Sequence, residues 1–177
     1  MVNTTAIYDL FEKLARAHPT IGHNPNQGIN RFFGFNTDMS ESSNFDNATF
    51  PRIVLSKSSN PRLNIKYKYI AHNGQKAYSF SVSFLKNAEP NNQVDQKNAY
   101  AEMEQLMDDF VSWMFEHESE KDQCDFEVIE TFDQESISAE AIGPIGQNSA
   151  YGWALNITTK TYLQSDNTNP LHTAMQP

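Results

Sequence analysis

Two groups of residues in this chain carry side chains that could do chemistry, and the first combines metal-binding types. It consists of a histidine, a cysteine and three carboxylates: Glu116, His117, Glu118, Cys124 and Asp125. Zinc sites are built from several Cys and His ligands at short, regular spacings, and one Cys with one His match none of those arrangements. Adjacent residues on a helix also point in different directions. We therefore predict a solvated helix end here and no metal site.

The second group lies in a polar stretch nearer the N-terminus and could serve acid-base or cation chemistry. Its members are one histidine and three carboxylates: His23, Asp38, Glu41 and Asp46. Such residues hold a cation or move a proton only where the fold brings them together. A stretch of this kind is typical of a solvated loop, so we predict no site. A cation-dependent hydrolase that uses these residues is the enzyme alternative.

The common catalytic motifs are missing from the sequence. It has no glycine-rich phosphate loop, no Gly-x-Ser-x-Gly, no His-Glu-x-x-His and no Cys-x-x-Cys. The one cysteine, Cys124, can form no internal disulfide. The sequence thus predicts a protein that is not an enzyme, with no catalytic residue, no metal site and no cofactor.

The composition predicts a folded, acidic protein. Hydrophobic residues make up 38% and aromatic residues 12% of the 177 residues, which is too much for a disordered chain. The net charge is -9, whereas proteins that hold nucleic acid need clustered Lys and Arg. No apolar run approaches the ~20 residues of a membrane-spanning helix, and the N-terminus lacks the features of a secretory signal. We expect synthesis inside the cell and no membrane partner.

Two segments have the apolar spacing of amphipathic helices. The first is predicted to start at one of the residues 3–5 and to end near His18, with an apolar stripe of Ile7, Leu10, Phe11 and Leu14. The second, residues 98–122, has the stripe Met103, Leu106, Met107, Phe110 and Met114. Its other face is rich in carboxylates, which predicts a solvated surface.

Several shorter segments have the alternation of strands. Residues 62–70 and 77–86 flank Asn73-Gly74, the strongest short signal for a hairpin. Further strands are predicted after Pro51, at 125–132 and at 134–142. The clearest strand is 151–163, YGWALNITTKTYL, in which apolar and small or polar residues alternate over the whole length.

This order of elements predicts an α+β fold: a mainly antiparallel sheet with two helices packed on one face, a long loop and an extended C-terminal tail. We expect one α+β domain over residues 1–164, with the long loop at 20–49, followed by a C-terminal arm at 165–177. Large aromatic residues dominate both cores and interfaces. Four of them are therefore candidate anchors of a core or of a subunit interface: Phe32, Phe33, Phe35 and Trp153.

The order of these segments resembles that of small head-to-tail joining and tail-terminator proteins of tailed bacteriophages, including those of crAss-like phages. The parallels are the apolar strand after Phe50-Pro51, the stretch DFEVIE at 125–130, and the Gly152-Trp153 strand followed by a polar segment that ends in Asn169-Pro170-Leu171. The resemblance spans most of the chain, but the loop 20–49 follows no pattern of that family.

The resemblance implies a non-enzymatic virion protein of the phage neck or tail, assembled in the host cytoplasm. Such a head-tail connector or terminator subunit forms a homo-oligomeric ring of six or twelve copies, whose sheets pack edge to edge, and it contacts neighbouring ring, portal or tail proteins. DNA passes through the ring without specific binding, and acidic residues facing the channel keep it from adhering. The alternative is a monomeric intracellular binding or adaptor domain that holds a peptide by strand addition.

Overall fold

The computed structural model describes residues 4–33, 52–56, 66–70, 75–118, 134–145 and 149–162. These residues form two helices and six strands. The helices are α1 (Thr4–Ala17) and α2 (Gln93–Glu118). The strands are β1 (Phe32–Phe33), β2 (Arg52–Ser56), β3 (Lys66–Ile70), β4 (Gln75–Asn87), β5 (Ser138–Ile145) and β6 (Ala150–Tyr162). The predicted α+β class is confirmed, while the strand predicted at 125–132 and the arm at 165–177 lie outside the described residues.

All six strands belong to one sheet, with β4 and β6 at its centre. The strand order is β1-β2-β4-β6-β5, and β3 also pairs with β4. β4 and β6 pair antiparallel along their whole lengths. On the other edge of β4, β3 pairs with residues 75–79 and β2 with residues 81–85. Only β1 and β2 are parallel among the described strands. The antiparallel pairing of β3 with β4 confirms the hairpin that the Asn-Gly turn predicts.

The alternation of side chains along β4 and β6 creates one strongly apolar face, here called the core face. Because successive residues of a strand point to opposite sides of the sheet, the apolar positions of both strands meet there. The buried residues of this face include Tyr78, Phe80, Val82, Phe84, Leu155 and Ile157. The other side, here called the back face, carries mainly small and polar residues at the alternate positions, with Leu85 as a buried apolar exception.

Both helices pack on the core face, as the sequence predicts. The ring of Phe11 in α1 meets that of Phe80 edge to face, with centroids 5.7 Å apart. In α2 the ring of Phe110 meets that of Phe84 in the same way, at 5.2 Å. Both helical stripes and the strand residues belong to a single cluster of buried side chains. The hydrophobic core therefore lies between the sheet and one layer of two helices.

The helix α2 begins five residues earlier than the apolar stripe predicts. Residue 98 was the expected start, but the helix starts at Gln93. The side-chain oxygen of Asn92 accepts hydrogen bonds from the backbone N–H groups of Val94 (3.1 Å) and Asp95 (3.2 Å). This is an N-cap, which satisfies N–H groups that the first turn leaves unpaired. The added turn is polar, so a search for apolar spacing alone missed it.

The first part of the long loop, residues 20–33, is folded onto the end of α1. A short 3-10 turn at Pro25–Gln27 lies inside an isolated bridge between Asn24 and Ile29. The segment then runs into β1, which pairs with β2 at the edge of the sheet. The expected loop is therefore ordered in this part, and residues 34–49 lie outside the described residues.

Two glycines allow the pairing around β6. Gly143 lies in β5 where the register with β6 shifts between Ile142 and Ile145, and its φ of +137° is rarely adopted by other residues. Gly152 lies in β6 opposite Leu85, and a Cβ atom there would overlap the carbonyl oxygen of Phe84. The sequence prediction ended the strand before Gly143-Pro144, whereas β5 continues past the bulge to Ile145.

Candidate functional site

The aromatic residues predicted as anchors fall at different places. Phe32 is 5% exposed and belongs to the core. Its ring contacts those of Tyr8 and His23, with centroid distances of 5.2 and 6.0 Å. Phe33 is the second residue of β1, and Phe35 lies outside the described residues. Within this chain, Phe32 thus anchors β1 to α1 and to the loop that follows α1.

Trp153 lies at the border of the core, where β6 passes under α2. It is half-buried and packs against the main cluster. Its indole N–H donates a hydrogen bond to the backbone carbonyl of Tyr100 in α2, at 3.0 Å, and the two rings meet edge to face at 6.2 Å. Trp153 therefore fixes the sheet to the N-terminal half of α2.

His23 is a buried residue that holds β1 in place. It is 6% exposed, and its Nδ1 accepts hydrogen bonds from the backbone N–H groups of Arg31 (3.0 Å) and Phe32 (3.2 Å). The neutral ring therefore carries its proton on Nε2, which lies 3.7 Å from Oε1 of Glu12. The guanidinium of Arg31 donates to the carbonyls of Thr20 and Ile21. These bonds tie the loop to the start of β1.

The position of His23 predicts that acid destabilises the fold. Burial, and next the charge of Arg16, lower the pKa of His23, although Glu12 opposes them. An unfolded histidine has a pKa of about 6.5, so below that pH the unfolded chain takes up a proton that the folded chain does not. The contribution of neutral His23 to the free energy of unfolding is therefore complete above about pH 6.5. It is lost as the pH falls through the lowered pKa of the folded state. Urea unfolding at pH 7 and pH 5.5 measures this loss.

His23→Asn supplies the matched variant, because its amide oxygen can accept the same N–H groups and does not titrate. We expect its free energy of unfolding to change less than that of the wild type between the two pH values. His18→Asn is the control, because the side chain of His18 is partly exposed beside Asp109 and accepts its hydrogen bond from the N–H of Thr20, not from Arg31 or Phe32. If the free energy of unfolding depended equally on pH in the wild type and in His23→Asn, His23 would not be the group responsible for the acid destabilisation.

The two groups of metal-compatible residues are not assembled in the described part of the chain. No three His, Cys, Asp or Glu side chains among the described residues are close enough to hold a metal ion. Of the loop group, only His23 is described, and its Nδ1 is already occupied by two N–H donors. Of the group near residue 120, Cys124 and Asp125 lie outside the described residues.

The outer edge of β5 is an exposed edge of the sheet. One edge of β5 pairs with β6, and no described strand pairs with the other. Every residue of β5 is exposed or half-buried, including Ala139 and Ala141, whose register partners Leu155 and Trp153 face the core. The helices therefore do not extend over β5. An edge that the described strands leave unpaired can present its N–H and C=O groups to a further strand.

A second exposed feature is the outer side of α2, here called the acidic helix face. It consists of Glu102, Glu104, Asp108, Asp109 and Glu116, all exposed. Glu102 pairs with Lys86 and Asp109 with His18. The helix as a whole contains seven carboxylates and one lysine. Its exposed residues therefore present a negative surface.

Comparison with known proteins gives no assignment for these features. No protein-family model matches the chain, and no curated protein matches it.

Neither helix of the described part is long and apolar enough to cross a membrane. The features described above are a sheet edge that no described strand pairs, a negative helix surface and a histidine that fixes β1.

Proposed function

We propose that the protein is a non-enzymatic virion subunit that forms a ring at the head-tail joint or tail end of a tailed bacteriophage, with DNA passing through the ring. The proposal rests on the resemblance in element order and on one structural observation, the exposed outer edge of β5. In this proposal the protein acts by assembling, and it is located in the neck or tail of the virion. The net charge of -9 fits a ring that DNA traverses without adhering.

The chemistry of β5 supports a paired state for its edge. Edge strands that remain solvated are normally blunted by charges, proline or bulges along their length. In β5 the bulge and Pro144 lie at one end, and Ser138–Ile142 is regular and carries one charge, Glu140. This regular part is a surface on which a further strand can add. Glu140 is the one charged side chain in it that opposes such pairing.

The two ends of the sheet are unlike, which favours a ring over a symmetric dimer. One end is the strand β5, and the other consists of the two-residue strand β1 and, along the other half of β4, the strand β3. A contact between two different surfaces of the same chain is heterologous, and it closes into a ring when the rotation per subunit allows. Joining the β5 end of one copy to the other end of the next gives such a contact.

The test adds positive charge to the β5 edge in Ala139→Lys/Ala141→Lys. Both alanines are exposed, so we expect the melting temperature of a single chain to stay unchanged while self-association weakens at least about tenfold. The mass is measured by light scattering across a concentration series. Asn26→Lys/Gln27→Lys adds the same charge at an exposed turn and is the control. Equal association of the two variants would contradict edge pairing.

The same edge supports the alternative function, a monomeric binding domain that holds a peptide by strand addition. That function places a foreign strand beside Ser138–Ile142. It predicts that the mass in solution is that of one chain at every concentration. It also predicts that the protein binds a peptide and that Ala139→Lys/Ala141→Lys removes this binding. The mass of the wild-type protein therefore separates the two functions.

A further inference from the structure

The chemistry of the β5 edge indicates which strand pairs with it. Its regular part, Ser138–Ile142, is five residues long. Two exposed alanines, Ala139 and Ala141, occupy its core-face positions, and the exposed Glu140 lies between them on the back face. Small residues leave space for large neighbours on the adjacent strand, and a carboxylate favours a cation directly opposite. The matching strand therefore has two large residues at alternate positions and a basic residue between them.

The strand β3 has this pattern. It is also five residues long, Lys66–Ile70, and no described strand pairs with its outer edge. Its sequence begins Lys-Tyr-Lys-Tyr. Tyr67 lies opposite the buried Tyr78 and so holds a core-face position, which gives Lys68 a back-face position. β3 and the regular part of β5 thus match in length, residue size and charge.

The directions of the two strands also suit pairing between copies. β3 and β6 are both antiparallel to β4, and β5 is antiparallel to β6. β3 and β5 therefore run in opposite directions within one chain. They do so between two chains as well, when the chains stand side by side with their core faces on the same side. Two such copies can continue one antiparallel sheet.

We propose that β5 of one copy pairs antiparallel with β3 of the next copy. The inference rests on the proposed function and names the strand that the β5 edge binds. Aligning the two five-residue segments over their full length places Glu140 opposite Lys68 and the two alanines opposite Tyr67 and Tyr69. Glu140, which opposes pairing with most strands, then has a cation opposite it. A slip by one residue would exchange the faces, so the register is strongly specified.

This register displaces each copy along the strand direction by an amount that a closed ring accepts. Ser138 shares a row with Ser81, and Ile70 shares a row with Gln75. Pairing Ser138 with Ile70 shifts the next copy by six residues, about 20 Å, over the four strands β3, β4, β6 and β5, about 19 Å. The strands are then inclined by about 45° to the ring axis, close to the inclination of roughly 35–45° in closed barrels.

The same register fits the stepped outline of the sheet. β1 extends the sheet one strand beyond β2, whereas β3 lies directly at the edge. β5 ends at Ile145, in the row of Asn87. Phe33 of the next copy shares a row with Ser83, and the six-residue shift places that row two residues beyond the row of Asn87. β5 therefore ends before it reaches β1 of the next copy.

The first experiment reverses the charges of the proposed pair. Glu140→Lys places two lysines opposite each other, and Lys68→Glu places two carboxylates opposite each other. We expect each variant to associate at least about fivefold more weakly than the wild type in low salt. Glu140→Lys/Lys68→Glu carries both changes in one chain and should recover the association. Light scattering measures the assembled mass, and thermal melting checks that each variant folds.

A disulfide between copies tests the register without relying on charge. In a Cys124→Ser background, Glu140→Cys/Lys68→Cys should form covalent multimers under mild oxidation. Directly opposite residues of antiparallel strands have Cα atoms about 4.5–5.5 Å apart, which a disulfide can span. Glu140→Cys/Lys66→Cys is the control, because Lys66 is two residues away along the same strand. Electrophoresis in denaturant without reductant counts the chains in each product.

The outcomes separate this contact from the ring itself. If the wild type assembles, the charge variants associate equally well and no disulfide forms, the inference is wrong and a ring with another edge contact stands. If the single variants lose association and the double variant fails to recover it, the pairing of Glu140 with Lys68 is wrong. Equal cross-linking through Lys66 contradicts the register. A wild type that never assembles overturns the proposed function and this inference with it.

Discussion

Gly152→Ala should remove the stable fold, with a loss of at least about 4 kcal/mol in the free energy of unfolding. The added Cβ would overlap the carbonyl oxygen of Phe84 and lie 2.9 Å from its carbonyl carbon and 3.3 Å from the Cα of Leu85. All three atoms belong to the backbone, so no side-chain rotation relieves the contact. β4 and β6 would have to separate at the centre of the sheet, where they pair along their whole lengths.

The matched control for this change is Asn156→Ala, four residues along the same face of β6. The side-chain oxygen of Asn156 is buried and has no hydrogen-bond partner, so its removal should cost less than about 1 kcal/mol. Urea unfolding, or the soluble yield where Gly152→Ala fails to fold, compares the two. A Gly152→Ala protein with wild-type stability would show that the two strands approach less closely than described.

Phe84→Ala should destabilise the protein by about 3 to 5 kcal/mol, the second largest effect. The side chain is completely buried, and its ring packs edge to face against Phe110 of α2 at 5.2 Å. It also lies between Ile53 and Trp153 in the register of β2, β4 and β6. Its removal leaves a cavity where the sheet meets α2. The midpoint of urea unfolding measures the loss.

Phe115→Ala is the control: it makes the same change in α2, the helix against which Phe84 packs. Phe115 is 43% exposed, so we expect the free energy of unfolding of a single chain to fall by less than about 1 kcal/mol. If both phenylalanine variants lose the same stability, the orientation of α2 is wrong. If Phe115→Ala also weakens self-association, an interface extends over the C-terminal half of α2.

Local periodicity was sufficient to predict most of the elements. The alternation in 151–163 predicts β6, and the structure places this strand at the centre of the sheet. The i, i+3, i+4 spacing in α1 predicts a helix that ends close to the observed last residue, Ala17. Both predictions succeed because one side of each element must face the core. The spacing of the apolar residues along the chain shows which side that is.

Features that depend on contacts between distant residues could not be predicted. His23 appeared as a member of a polar loop, and its burial follows from N–H groups eight and nine residues later that bind its ring. No local pattern indicates such a contact. The early start of α2 is different, because Asn92 followed by Asp95 is a readable N-cap signal that apolar spacing ignores.

The exposed edge of the sheet could not be predicted without the order of its strands. The alternation in residues 134–142 predicts a strand, but it does not predict where that strand lies in the sheet. Only the pairing shows that β5 lies beside β6 and that no other described strand pairs with it.

The mass of the purified chain in solution tests the central claim, assembly into a ring, most directly. Light scattering across a concentration series, followed by negative-stain imaging of the largest species, measures it. The account predicts a closed species six or twelve times the 20.1 kDa of one chain, which becomes more abundant as the concentration rises. A mass of one chain at every concentration would contradict it and would favour the peptide-binding domain.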